Sequence, residues 1–235
     1  MSADGPASGS STSSGNGYAT GAPAAGGDAR LAILAKIRLA QVRAFIPESK
    51  AGLPKRIEYP RMDLPALKKR LRQELDLLGV VTHEEGTEAG VRERVKALIG
   101  GKSVLSWDAD QLPYGTGACL EGEKVRYGRD ARDEQGRAEI GLTGCEAVLA
   151  ETGSLAMAAG PGRPRTPSLL PYVHVVVIQS PDIVLGMGEF FDKYKTQPVL
   201  PYVVFITGPS RTADIELSLT LGVHGPGEVI AIIGP

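Results

Sequence analysis

Near the C-terminus the chain reads "FITGPSRTADIELSLTLGVHGPGEVIAIIGP" (205–235), where Ser210, Arg211, Thr212, Asp214, Glu216 and a lone His224 lie between apolar runs. A Gly-containing turn after a strand, followed by a helix, leaves backbone N–H groups unpaired at the helix start. Those groups and the helix dipole attract an anion. On this reading Arg211 supplies a planar fork for a carboxylate or phosphate, and Ser210 and Thr212 add hydroxyl donors. The structural alternative is that Ser210 or Thr212 caps the helix, Asp214 complements its dipole and Arg211 is a solvated partner. The Walker pattern of a dedicated phosphate cradle is absent. In "GVHGP" Gly225 and Pro226 shape a turn of the kind that positions an imidazole. If Asp214 or Glu216 reaches His224, the pair can do acid–base work; otherwise His224 is a loop residue.

A second group of candidates is "AETGSLAM" (150–157). Glu151 sits in an apolar stretch, where an ionised carboxylate is costly unless paired. Arg163 or Arg165, in the nearby "GRPRT", can supply the counter-charge. Thr152, Gly153 and Ser154 form a small, donor-rich bend on which a ligand can rest; the alternative is a strand bend with a satisfied Glu. His174, inside "YVHVVVIQS", reads as a hydrogen-bonded strand residue rather than a ligand. Cys119 and Cys145 have no base close by in sequence, so neither is read as a nucleophile.

The elements that must position these residues follow from periodicity. "DARLAILAKIRLAQVRAF" reads as an amphipathic helix with Asp28 as N-cap and a mostly apolar stripe through Leu31, Leu34, Ile37, Gln41 and Phe45. "DLPALKKRLRQELDLLG" predicts a helix capped by Asp63, with early Pro65 and a stop at Gly79. "VVTH" reads as a short strand, "TEAGVRERVKALIGG" as a helix and "KSVLSW" as a strand. That alternation implies a sheet with crossover helices. Residues 108–137, rich in Gly and charge, carry no readable period.

From Glu139 the chain turns apolar. "EAVLAETGSLAM" reads as two short strands bent at Gly153, "YVHVVVIQS" and "YVVFITG" as buried strands, "MGEFFDKYK" as a short helix and "GEVIAIIG" as a last strand. Unbroken Val/Ile runs suit strands covered on both faces. In "DIELSLTLGV" the residues Ile215, Leu217, Leu219, Leu221 and Val223 alternate as in a strand. The Ser-Arg-Thr-Ala-Asp opening instead favours a short helix from about Ser210, which is the expectation adopted.

Composition excludes several classes. Of the 235 residues 42% are apolar and 23% charged, as in ordinary globular domains. A net charge of −1 gives no footprint for nucleic acid. No apolar run approaches the roughly 20 residues of a membrane span. Residues 1–27, almost all Ser, Gly, Ala, Thr and Pro, read as a disordered tail and lack the pattern of a secretory signal. Residues 28–62 are expected to form a helical extension and connector, and 63–235 the α/β domain. Two cysteines without a Cys-x-x-Cys motif imply no iron–sulfur or structural zinc site in this chain, and reduced thiols in a cytoplasm.

Taken in order, "ETGSLAM" (151–157), "LLPYVHVVVI" (169–178), "GPSRTADIE" (208–216) and "GVHGP" (222–226) resemble the LUD-domain family of lactate utilization proteins. The resemblance covers Asp28 to Pro235 and is strongest after Thr143. It implies an α/β fold with a mixed, mostly parallel sheet flanked by helices, similar to the glucosamine-phosphate isomerase, ribose-phosphate isomerase and CoA-transferase-like superfamily. It also implies a non-redox place in an iron–sulfur-dependent system oxidising L-lactate to pyruvate, with the clusters on partner subunits and a small carboxylate such as lactate or pyruvate as ligand. The family pattern marks Glu151, Thr152, Gly153, Ser154, Ser210, Arg211, Thr212, Asp214, His224 and Gly225 as candidates for a shared ligand site, and among them Glu151 and His224 are the candidates for catalytic roles. Two other readings stay open: an enzyme on small acids using Glu151, by analogy with CoA transferases, and a regulatory or scaffold module. Because open α/β sheets bind ligands at strand carboxyl ends, these loops are expected to face one crevice.

Overall fold

The computed structural model describes residues 26–43, 60–192, 202–213 and 219–235. The chain divides into two units, Met1–Pro54 and Lys55–Pro235. In the first, helix α1 spans Gly26–Arg43, so Asp28 lies in its first turn rather than at its N-cap. Leu31, Leu34 and Ile37 of the expected stripe are exposed; Phe45 lies outside the described residues.

In the second unit, α2 (Leu64–Leu78) begins and ends where its signals stand. Asp63 Oδ1 accepts a 2.9 Å hydrogen bond from the Ala66 amide, and Gly79, with φ 77°, closes the other end in the left-handed region. Leu71 and Leu75, one turn apart, are fully buried; each such burial contributes roughly 2 kcal/mol. After β1 (Val81–Glu84) comes α3 (Glu88–Ile99), capped by Thr87, whose Val91, Val95 and Ile99 repeat every four residues and are all buried. There follow β2 (Ser103–Ser106), β3 (Lys124–Tyr127), α4 (Arg132–Gln135), β4 (Ile140–Thr143), β5 (Ala147–Leu149) and β6 (Ser154–Ala158). The unassigned 108–137 segment thus holds two 3-10 helical segments (Ala109–Gln111 and Pro113–Leu120), one strand and one α-helical turn.

The remainder is β7 (Val173–Ile178), β8 (Ile183–Val184), α5 (Met187–Asp192), β9 (Val203–Ile206), β10 (Arg211–Ala213), β11 (Leu219–Leu221) and β12 (Glu228–Ile233). Among the described residues six strands form one sheet in the order β1-β12-β7-β4-β2-β3, every neighbouring pair parallel. Strands β7 and β12 in its middle are the buried Val/Ile runs expected of such a sheet, and β4 beside them, Ile-Gly-Leu-Thr, is buried as well. In β4 a glycine is obligatory: a Cβ on Gly141 would lie 1.7 Å from the Pro167 carbonyl oxygen of the segment crossing above it.

A second, four-stranded sheet has the order β8-β5-β6-β9. Its β5 and β6 are the two short strands expected from "EAVLAETGSLAM", paired antiparallel, and Gly153 takes φ 66° at the bend. Phe190 of α5 packs on Ala147, Leu149 and Ala156 of this sheet. Strand β9 belongs here and is half-buried, not fully buried as its composition suggested.

The helix expected from about Ser210 is not formed. Arg211–Ala213 is a strand paired antiparallel with Leu219–Leu221, with Thr212 opposite Thr220. The period-two alternation was the better guide: polar residues that can cap a helix can equally open a strand.

Candidate functional site

The predicted residues gather in two places. The first is the C-terminal turn of α2. Arg211 Nη2 donates a 2.6 Å hydrogen bond to the Leu78 carbonyl oxygen. A Cβ on Gly153 would meet Leu78 Cδ1 at 2.8 Å, and one on Gly208 would meet Leu78 Cβ at 3.1 Å. The bend after β5 and the turn after β9 therefore both rest on the end of that helix. Between them runs a line of hydroxyls: Thr152 Oγ1 to Ser154 Oγ, and Ser154 Oγ to Thr207 Oγ1, each 2.8 Å. Glu151 is half-buried, its amide donating to the Leu185 carbonyl at 2.9 Å.

The second place is the loop after β11. The Ser210 amide donates to Pro226 O (2.8 Å), the Gly222 amide donates to Ser210 O (3.0 Å), and Gly225 lies against the Ser210 side chain. His224 is exposed in this loop. Asp214 lies outside the described residues. Because Arg211 is in a strand, the helix-start amides invoked for an anion do not exist at this position. None of the residues marked as the shared site lines the cleft described next, whereas Arg163, expected as a counter-charge, does.

That cleft, about 470 Å³, opens at the carboxyl ends of β2, β4 and β7, where three adjacent parallel strands stop and their loops part. Trp107 follows β2, Cys145 and Glu146 follow β4, and Gln179 follows β7; Asp110, Gln111, Arg163 and Asp182 complete the polar walls. Arg163 is held from several sides. Its Nε donates to Gln111 Oε1 at 3.0 Å, its Nη1 lies 3.4 Å from Glu146 Oε2, and its guanidinium sits 5.5 Å from the Trp107 ring centre. Trp107 is fixed in turn by Nε1–H donating to Pro164 O (3.1 Å). Of the two arginines considered for Glu151, Arg163 pairs with Glu146 and Arg165 stacks over Tyr202 at 4.3 Å.

One wall is braced by Tyr114, which among the described residues is the sole non-glycine with positive φ (56°). Its carbonyl accepts from Arg92 Nη1 (2.9 Å) and its hydroxyl donates to Pro235 O (2.6 Å). Burial pushes the phenol pKa up. Below the cleft His174 is fully buried between strands, with Nε2 2.8 Å from Thr143 Oγ1, as expected of a hydrogen-bonded strand residue. Desolvation lowers its pKa to about 4, so the ring is neutral at physiological pH.

Glu146, Gln111, Gln179, Asp110 and Asp182 escaped the sequence reading. The signal that finds them is positional: in the structure Trp107, Gly144 and Gln179 each directly follow a strand of the parallel sheet. Those are the positions where such a sheet presents its ligand-facing loops.

The fold is an α/β domain built on a mostly parallel sheet, with a polar cleft at its strand ends. Residues 63–233 match the LUD domain model, and the chain belongs to the LUD domain family. It is 33% identical over 161 residues to lactate utilization protein C of Anoxybacillus flavithermus, covering 65% of this chain and 73% of that protein. It is 29% identical over 170 residues to lactate utilization protein C of Bacillus subtilis, covering 66% and 71%. The crystal structure of a DUF162 family protein from Deinococcus radiodurans superposes with a TM-score of 0.60 at 19% identity, covering 74% of this chain and all of that one. That likeness establishes a shared fold.

Proposed function

We propose that this chain is a non-redox component of a system that oxidises L-lactate to pyruvate, acting beside subunits that carry iron–sulfur clusters. The observation that supports this reading most is the LUD domain match over 63–233 together with relatives that bear the name lactate utilization protein C. Oxidation of lactate releases two electrons and two protons. The two cysteines of this sequence cannot supply the four thiolates of a common iron–sulfur cluster. In this reading the electrons pass to partner subunits, and this chain contributes binding and assembly.

Deleting the gene in a host that grows on L-lactate tests this. Growth on L-lactate should fail and growth on pyruvate continue, with the full-length chain restoring the former. A tagged chain should co-purify with proteins showing iron–sulfur absorbance. Unimpaired growth of the deletion strain on L-lactate sinks the proposal.

A further inference from the structure

We infer that the cleft at the carboxyl ends of β2, β4 and β7 seats a small 2-hydroxy monocarboxylic acid, with Arg163 holding its carboxylate and Glu146 accepting a hydrogen bond from its hydroxyl. The choice of acid rests on the lactate reading above; the location and the roles come from the cleft itself.

Arg163 is pre-oriented. Gln111 takes its Nε–H and Glu146 one Nη1–H, which uses two of five donors. The remaining donors include a second N–H on Nη1 and both on Nη2, an edge with the spacing of the two oxygens of a carboxylate. The guanidinium plane is held against Trp107, so the fork loses little freedom when it binds.

Glu146 stands beside this fork, 3.4 Å from Nη1. A carboxylate accepts about four hydrogen bonds, so Glu146 can bond Arg163 and a ligand hydroxyl together. A hydroxyl on the carbon next to the ligand carboxylate is well placed to donate to it. A keto oxygen at the same position offers only lone pairs and is repelled. The pair therefore favours the reduced acid over its oxidised product, as expected of a component that presents substrate and lets product go. Arg163 is the one cation among the described residues that line the cleft, so a single ligand carboxylate can be met, which selects monocarboxylic over dicarboxylic acids. The walls leave room for water around a three-carbon acid.

Calorimetric titration of the full-length chain with L-lactate, pyruvate and L-malate tests the assignment. L-Lactate should bind at least roughly tenfold more tightly than either of the other two. Arg163→Lys, which keeps the charge but removes the fork, should weaken L-lactate binding by about tenfold or more in a variant that still folds. Glu146→Gln places an amide able to donate to a keto oxygen, and should narrow or reverse the preference for lactate over pyruvate. Absence of L-lactate binding by the intact chain, wild-type affinity in folded Arg163→Lys, or a preference unmoved in Glu146→Gln each overturns the inference. The growth test separates the two proposals. A chain needed for growth on lactate that does not bind it leaves the function standing without this seat. A chain that binds lactate but is dispensable for growth does the reverse.

Discussion

Arg211 and Leu78 lie 133 residues apart in sequence, yet Nη2 of the one donates a 2.6 Å hydrogen bond to the carbonyl oxygen of the other. The contact places a cation on the negative end of the α2 dipole and fills an acceptor that the helix cannot satisfy internally. Arg211→Ala should lower unfolding free energy by about 1 kcal/mol in urea titrations. L-Lactate affinity should be unchanged. A variant of unaltered stability that loses ligand binding would instead give Arg211 the ligand-holding role its motif suggested.

His174 and Thr143 make the protein sensitive to acid. Burial holds the imidazole pKa near 4 in the folded chain, below its ordinary value of 6.5. The unfolded chain therefore takes up the proton first as pH falls. The contribution is complete above about pH 6.5, declines through the interval, and is gone below about pH 4. It amounts to roughly 3 kcal/mol. Urea unfolding measured from pH 7 to pH 4 should show this loss, and His174→Gln, whose amide can still meet Thr143, should flatten the slope. An unchanged slope in the variant would remove His174 as its source.

Gly141→Ala tests the close approach of the 164–171 segment to β4. With the Pro167 carbonyl oxygen 1.7 Å from the added methyl position, backbone must move. The expected cost is about 3 kcal/mol or more, or insoluble expression. A soluble variant with the parent's melting temperature would contradict the packing.

Asp63 caps α2 through one 2.9 Å hydrogen bond. Asp63→Ala should cost about 1 kcal/mol, and Asp63→Asn or Asp63→Ser should restore most of it. Equal loss in all three would mean that the carboxylate's charge, not the cap geometry, matters.

Much of this molecule is legible along the chain. The Asp63 cap, Pro65 and the Gly79 stop outline α2, because cap chemistry and left-handed backbone are properties of a few neighbouring residues. The Val/Ile runs of β7 and β12 announce strands buried on both faces, and Gly153 marks the bend between β5 and β6, for similarly local reasons. Local signals fail where two of them compete. Around 210–213 the cap-like residues outweighed the alternation, and the outcome rested on a partner strand, Leu219–Leu221, that only pairing reveals.

The candidate cleft was not legible in this way. Gln111, Glu146, Arg163 and Gln179 are scattered over nearly seventy positions and follow no motif. They meet because β2, β4 and β7 lie side by side and because the bend at 160–163 brings Arg163 back over Trp107. Residue types and their short-range periods selected helices, strands and turns, since backbone sterics and side-chain alternation act over a few residues. Which strand ends stand together, and hence which side chains share a cleft, was decided by long-range sheet order and packing, where a contact is set by the whole core and not by its neighbours in the chain.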